Sequence, residues 1–195
     1  TRVLTKLERI GLICAWVPIP IALAVLLGYL TQLPALTRLF MNTTFMTPNS
    51  AVLLLTLSFG IILRLQATNR ARSVISSLLI AFTGLISTLV LLQYLLNADF
   101  AIDLLLFPSM SRELFEQLGS IHPGRFALTT AISIAAMSIA ALALGSPHRR
   151  QEIVSHTLAV GTIVVNGFFL TGYVYSAQVP QEWVRHFAIA APHTA

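Results

Sequence analysis

Five apolar stretches occupy most of this chain, and the basic residues that separate them fall in alternate loops. The stretches lie at about 10–30, 48–66, 74–96, 126–145 and 153–175. Each is close to the ~20 residues that an α-helix needs to cross about 30 Å of hydrocarbon. Lipid offers a backbone no hydrogen bonds, so only helices or closed barrels span it. Stretches of this length therefore predict an all-α integral membrane bundle of five spans, a single transmembrane domain over residues 1–195. The loops orient it. Arg2, Lys6 and Arg9 precede the first stretch, Arg64, Arg70 and Arg72 lie between the second and third, and Arg149 and Arg150 between the fourth and fifth. With Glu8 and Glu152, that side holds eight basic residues and two acids. The other side holds Arg38, Arg112, Arg125 and Arg185 against Asp99, Asp103, Glu113, Glu116 and Glu182, a net of −1 against +6. Short loops rich in Lys and Arg stay in the cytoplasm. The reading is a multi-pass protein of the bacterial inner membrane with a cytoplasmic N-terminus.

Composition excludes an ordinary soluble domain: 56% of residues are hydrophobic and 10% charged, where about 25% charged is usual. The formal charge of +5 flanks spans instead of forming a patch. Membrane lipids with anionic headgroups are thus the expected partner, and nucleic acid is not. A lone cysteine, Cys14, cannot close an internal disulfide and reads as a small apolar residue. The first stretch is too long for a cleavable signal and lacks a small-residue cleavage site. Pro18 and Pro20 within it remove backbone donors and predict a bend.

The chain also repeats itself. Met46-Thr47-Pro48-Asn49-Ser50-Ala51 opens the second stretch, Phe126-Ala127-Leu128-Thr129-Thr130-Ala131 the fourth, and Ala190-Ala191-Pro192-His193-Thr194-Ala195 is a third copy. A cap-like residue and Ser or Thr before Ala suit a helix start at an interface. A tyrosine precedes each copy: Tyr29 by 17 residues, Tyr94 by 32 and Tyr173 by 17. The unit reads as helix, tyrosine, linker, capping motif, helix. The third copy predicts a sixth span downstream, which this sequence does not include, along with any cytoplasmic signalling modules. The three linkers, at 32–45, 98–118 and 179–189, mix apolar and polar residues and predict amphipathic segments along the outer headgroup boundary. Tyr29, Tyr94, Phe107, Tyr173 and Trp183 are the expected interfacial anchors. In the linker from Ala98 to Ser120, Phe100, Leu104, Leu105 and Phe107 are expected against the membrane surface and the acids in water.

These motifs, with Asn97-Ala98-Asp99-Phe100-Ala101-Ile102-Asp103-Leu104-Leu105-Leu106-Phe107 and His122-Pro123-Gly124-Arg125-Phe126, carry a resemblance. The chain resembles the N-terminal multi-pass input region that precedes PAS, GAF and kinase modules in bacterial sensor histidine kinases. It departs from the family pattern at Phe126 and Leu128, where Met and Pro are usual. The resemblance implies a membrane architecture; it attaches no ligand or chemistry to these residues.

Candidates for chemistry are few. Glu152-Ile153-Val154-Ser155-His156-Thr157-Leu158 has the outline of a phosphoacceptor box, but the following acid, arginine and proline are missing. His156 is also a candidate haem or chlorophyll ligand; a helix-end hydrogen bond is the plainer alternative. Asp99, Asp103 and His122 are candidate ligands for a hard cation, with Asp99 and Asp103 on one face if that segment is helical. The plainer alternative is an ion-pair network with Arg112 and Arg125. No acid or base lies mid-span, which disfavours a pump or transporter, and protease, nucleophile-elbow and phosphate-loop patterns do not occur. No cofactor and no catalysis are expected. Ala131, Ala135 and Ser138 in the fourth stretch, and Gly161, Asn166 and Gly167 in the fifth, suit close helix approach. They read either as internal packing or as a face for another membrane subunit or a homodimer partner. The favoured function is a non-catalytic sensor, input and anchoring domain for signal transduction. The alternative is an accessory transmembrane subunit of a photosynthetic or respiratory assembly. The charge asymmetry makes a direct prediction. In a Cys14→Ala background, Asn69→Cys and His148→Cys should resist a periplasmic thiol reagent while Ser111→Cys reacts, and the reverse pattern would invert the orientation.

Overall fold

Proline divides the first apolar stretch into two helices, α1 (Lys6–Trp16) and α2 (Pro18–Leu30). Pro18 has no amide hydrogen to donate into the preceding turn, yet Val17 keeps helical dihedrals (φ −60°, ψ −42°), so the interruption is slight. A 3-10 turn at Pro34–Thr37 follows, then α3 (Pro48–Leu65), α4 (Arg70–Leu96), α5 (Leu128–Ala143) and α6 (Arg149–Ser176). The computed structural model describes residues 6–37, 46–103, 106–108, 125–144 and 148–176, and among them there is no strand. Three helices are long and apolar enough to cross a membrane: Arg9–Leu30, Pro48–Leu65 and Arg70–Leu96. α5 is apolar but has only 16 residues, about 24 Å at 1.5 Å per residue.

Capping explains where the helices start. Thr47 is the N-cap of α3, its hydroxyl oxygen accepting from the Ser50 amide at 3.3 Å, with Pro48 next in the first-turn position that suits it. Asn69 caps α4 by accepting from the Arg72 amide at 2.9 Å. That cap moves the start of α4 ahead of the expected residue 74 and takes Arg70 and Arg72 into its first turn. α5 begins after Ala127, which offers no side-chain cap. The second motif copy thus holds the register of the first, with the helix starting at its third residue, but without the capping chemistry expected of it.

The helices run up and down. α4 lies in the middle, packed on α3 and α5; α2 lies on α3, and α6 on α5. Leu53, Leu57, Ile80, Val90, Phe126, Ala131, Ile134 and Ala141 form the largest apolar core. Gly60 lets α3 and α4 close up: a Cβ there would stand 2.7 Å from Ile80 Cγ1, and the Ser76 hydroxyl donates to its carbonyl at 2.8 Å. Ala131, Ala135 and Ser138 are buried, so the small-residue face of α5 does pack within the chain. The α6 glycines do not. A Cβ at Gly161 or Gly167 would meet nothing within 4 Å, and exposed Asn166 reaches α5 only by donating to Ser133 Oγ at 2.9 Å. Ile13, Leu23, Leu78, Phe82, Leu85, Ile132, Ile139 and Ile163 point outward from the bundle.

The two ends differ. Arg64, Arg70, Arg72, Arg149 and Arg150 gather at one end. There Arg64 donates to the carbonyls of Leu142 and Leu144 at 3.2 and 3.0 Å and to Ser77 Oγ at 2.9 Å, closing the C-terminus of α5. A cation there also suits the helix dipole. The other end carries the linkers and the tyrosines. Tyr29 donates to the Met46 carbonyl at 3.1 Å, and Tyr94 donates to the Phe126 carbonyl at 3.0 Å. Both acceptors are the first residues of the repeated motif. The spacings of 17 and 32 residues seen in the sequence are the spans of these two bonds. Tyr29 is only 2% exposed and Tyr94 is half-buried, and both hydroxyls donate inward, so each tyrosine latches a helix pair. The side chain of Tyr173, Trp183 and the third motif copy lie outside the described residues. Each latch is one neutral hydrogen bond, worth about 0.5–1.5 kcal/mol. Tyr29→Phe and Tyr94→Phe should each lower unfolding stability by about that amount in detergent micelles, with helix content by circular dichroism unchanged.

Candidate functional site

The densest polar cluster among the described residues sits at the linker end, where Asp103 joins three helices. α4 ends at Asn97, which adopts the left-handed conformation (φ 47°) that asparagine tolerates as a helix terminator. Residues 98–103 then fold back over the end of the bundle in a non-helical path. Asp99 Oδ1 accepts from the Ala101 amide at 2.9 Å, and Ala101 and Phe107 both take positive φ, 55° and 50°. Such conformations cost energy in residues other than glycine and persist only where the surroundings enforce them. Enforcement comes from α3: Asn49 Nδ2 donates to the carbonyls of Ile102 and Asp103 at 2.9 and 3.0 Å. It comes also from α2, where Phe107 stacks on the Tyr29 ring with centroids 5.8 Å apart.

This path carries the Asp103 carboxyl inward, 5% exposed, to meet Arg125, 4% exposed, just ahead of α5. Asp103 Oδ2 accepts from Arg125 Nε at 2.8 Å and from Gln93 Nε2 of α4 at 3.3 Å. Arg125 also donates to the Ala98 carbonyl at 3.2 Å, lies 3.9 Å from Asp99 Oδ1, and holds its guanidinium 5.4 Å from the Tyr94 ring centre. Two oxygens in this cluster have no partner among the described residues: Asp103 Oδ1 and Gln93 Oε1. Burial pushes the Asp103 carboxyl up from its ordinary value; the Arg125 hydrogen bond and charge oppose the rise, Asp99 adds to it, and the Gln93 bond opposes it.

Several expectations change here. Asp99 and Asp103 do not share a helical face, because residues 98–103 are not helical. One is exposed and the other is buried in an ion pair, so the acids of this linker do not both face water, and its described part is not a simple surface segment. Phe107 is half-buried against Tyr29, inside the bundle end instead of along a membrane surface, while Phe100 is exposed. Leu104, Leu105 and His122 lie outside the described residues. No group of three metal-ligating side chains occurs among the described residues. The plainer alternative, an Arg125-centred network, describes the geometry. His156 is largely exposed on α6, 4.0 Å from Glu152. Gln93 and Asn49 were not singled out as site residues. A glutamine inside an otherwise apolar stretch was the available signal for the first, since such a group must find partners.

Comparison with protein-family models, with curated proteins and with solved structures finds no match to this chain. The cluster therefore rests on its own chemistry. Removing one partner of a buried ion pair costs about 3–5 kcal/mol, because the other charge is left uncompensated, whereas replacing both with apolar groups is often neutral. Arg125→Ala should destabilise the protein by about that much, and the double variant Asp103→Leu/Arg125→Met should recover most of the loss. Unfolding midpoints in micelles check both, and equal losses in the single and double variants would remove the pair from any organising role.

Proposed function

We propose that this chain is a five-span membrane input and anchoring domain of a bacterial signalling protein, non-catalytic, with its N-terminus and arginine-rich end in the cytoplasm. The three apolar helices and the outward-facing large aliphatic side chains support insertion in lipid. In this reading α5 and α6 are the fourth and fifth spans, and the linker end faces the periplasm. The observation that carries the proposal is the Asp103 cluster. It gathers groups from α3, α4, the linker and the approach to α5 into one buried polar joint. A joint that ties the outer ends of three helices together, so that a change there moves helices whose other ends face the cytoplasm, is what an input domain requires. The repeat supports a sixth span opened by the third motif copy, which would return the chain to the cytoplasm and to its output modules.

A second reading is favoured by one observation. Among the described residues, the open Gly161 and Gly167 positions on α6 leave a small-residue face unfilled, as a subunit of a larger assembly or of a homodimer would present. Antiserum against this domain separates the readings on native membranes. An input domain joined to signalling modules should run well above 21.2 kDa on a denaturing gel. An accessory subunit should run near that mass and comigrate with its complex on a native gel.

A further inference from the structure

We propose that Asp103 Oδ1 is a proton-binding site, through which the linker end of the bundle responds to the acidity of the compartment it faces. As a signal this rests on the input-domain reading; as a binding site it does not. The two oxygens of the carboxyl are unequal. Oδ2 accepts two hydrogen bonds, from Arg125 Nε and Gln93 Nε2, while Oδ1 accepts none among the described residues and is out of contact with solvent. An ionised oxygen buried without a donor is costly, and the cost ends if the oxygen takes up a proton. The second orphan acceptor, Gln93 Oε1, belongs to the side chain already bonded to this carboxyl. A proton on Oδ1 would thus bring a donor to two oxygens that have none among the described residues, with rotation of the Gln93 amide completing the new bond.

The balance is simple: one proton comes from solvent, no covalent bond breaks, and Asp103 goes from −1 to neutral. Among the described residues, the groups facing Asp103 from each element packed on it are Gln93 and Tyr94 of α4, Asn49 of α3, Asp99 of the linker and Arg125 ahead of α5. Of these only Arg125 and Asp99 carry charge at neutral pH. The described charges therefore sum to −1 with Asp103 ionised and to zero with it protonated, and burial favours the neutral sum. Arg125 has a second acceptor in Ala98 and a second carboxylate in Asp99. Neutralising Asp103 moves its preference toward Asp99 and the surface. The joint that loosens is between α5 and the rest, because Asn49 holds the linker to α3 through backbone carbonyls that do not titrate.

The chain contains only two aspartates, Asp99 and Asp103, so carbon-13 labelling of aspartate side-chain carboxyls gives two resonances in the intact protein. Titrated in lipid nanodiscs, with Asp99→Asn assigning the pair, the Asp103 resonance should change at a pH above the ordinary aspartate range. The sign for stability follows. A raised native value means that the native state holds the proton where the unfolded chain has lost it. The Asp103 contribution is therefore full below the ordinary aspartate value and is lost as pH rises through the native one. An Asp103 resonance that stays in the ionised position down to the ordinary range or below would overturn the proposal; a buried water donating to both orphan oxygens would give that result. If Asp103 titrates as expected but signalling by the parent protein ignores external pH, the proton site stands and the input reading fails. If Asp103 does not titrate and signalling answers other stimuli, the site alone fails.

Discussion

Side-chain donors that satisfy backbone carbonyl oxygens hold this bundle together. Carbonyls at the end of a helix or in the segment between two helices have no partner within a helix ladder, and lipid cannot supply donors. Tyr29 and Tyr94 serve the carbonyls of Met46 and Phe126, Asn49 those of Ile102 and Asp103, Arg64 those of Leu142 and Leu144, and Ser155 that of Ala140. Each bond crosses from one element to another. The polar groups that membrane burial makes expensive are thereby turned into the contacts that fix helix against helix. Apolar packing alone would not select register so well, since lipid competes for it on nearly equal terms.

Within that scheme the Asp103–Arg125 pair stands apart, being the one ion pair among the described residues in which both side chains are buried. A pair of this kind adds little stability when intact and removes much when half of it is lost. Its worth lies in specifying one arrangement of the α3, α4 and α5 ends. The strained backbone at Ala101 and Phe107 belongs to the same arrangement, held there by the Asn49 bonds and by the stacking of Phe107 on Tyr29.

The helices were legible because apolar length is a coarse property that local context rarely overturns. Their starts were less so: Asn69 and the motif threonine Thr47 act as caps, but Ala127 starts α5 at the same register without one. The repeat was visible as a spacing, and the spacing proved to be the reach of a tyrosine hydroxyl. What the tyrosines do with that reach was not visible, because aromatic enrichment at a helix end fits a surface anchor and a buried latch equally well. The same limit hid the site. Asp99 and Asp103 look alike in the sequence, and only the left-handed turn at Asn97 and the folded-back chain after it send one into solvent and the other into the bundle. Gly161 and Gly167 show the converse: residues suited to close packing, placed where none of the described residues packs against them.

The brevity of α5 has a consequence for the lipid around it. Its neighbour α4 has 27 residues and α5 has 16, a difference of roughly 16 Å in rise. Inserted together, the two cannot both match one hydrocarbon thickness. A helix shorter than the hydrophobic layer is accommodated by thinning of the bilayer or by flanking side chains that snorkel. Arg64, bonded to the last carbonyls of α5, would draw headgroups and water down to that depth on one flank of the bundle. The membrane beside α5 would then be dimpled and the membrane beside α4 would not. In that state the protein would be sensitive to acyl-chain length on one side only, and a thicker bilayer would press on the same helix whose far end is tied to Asp103 through Arg125.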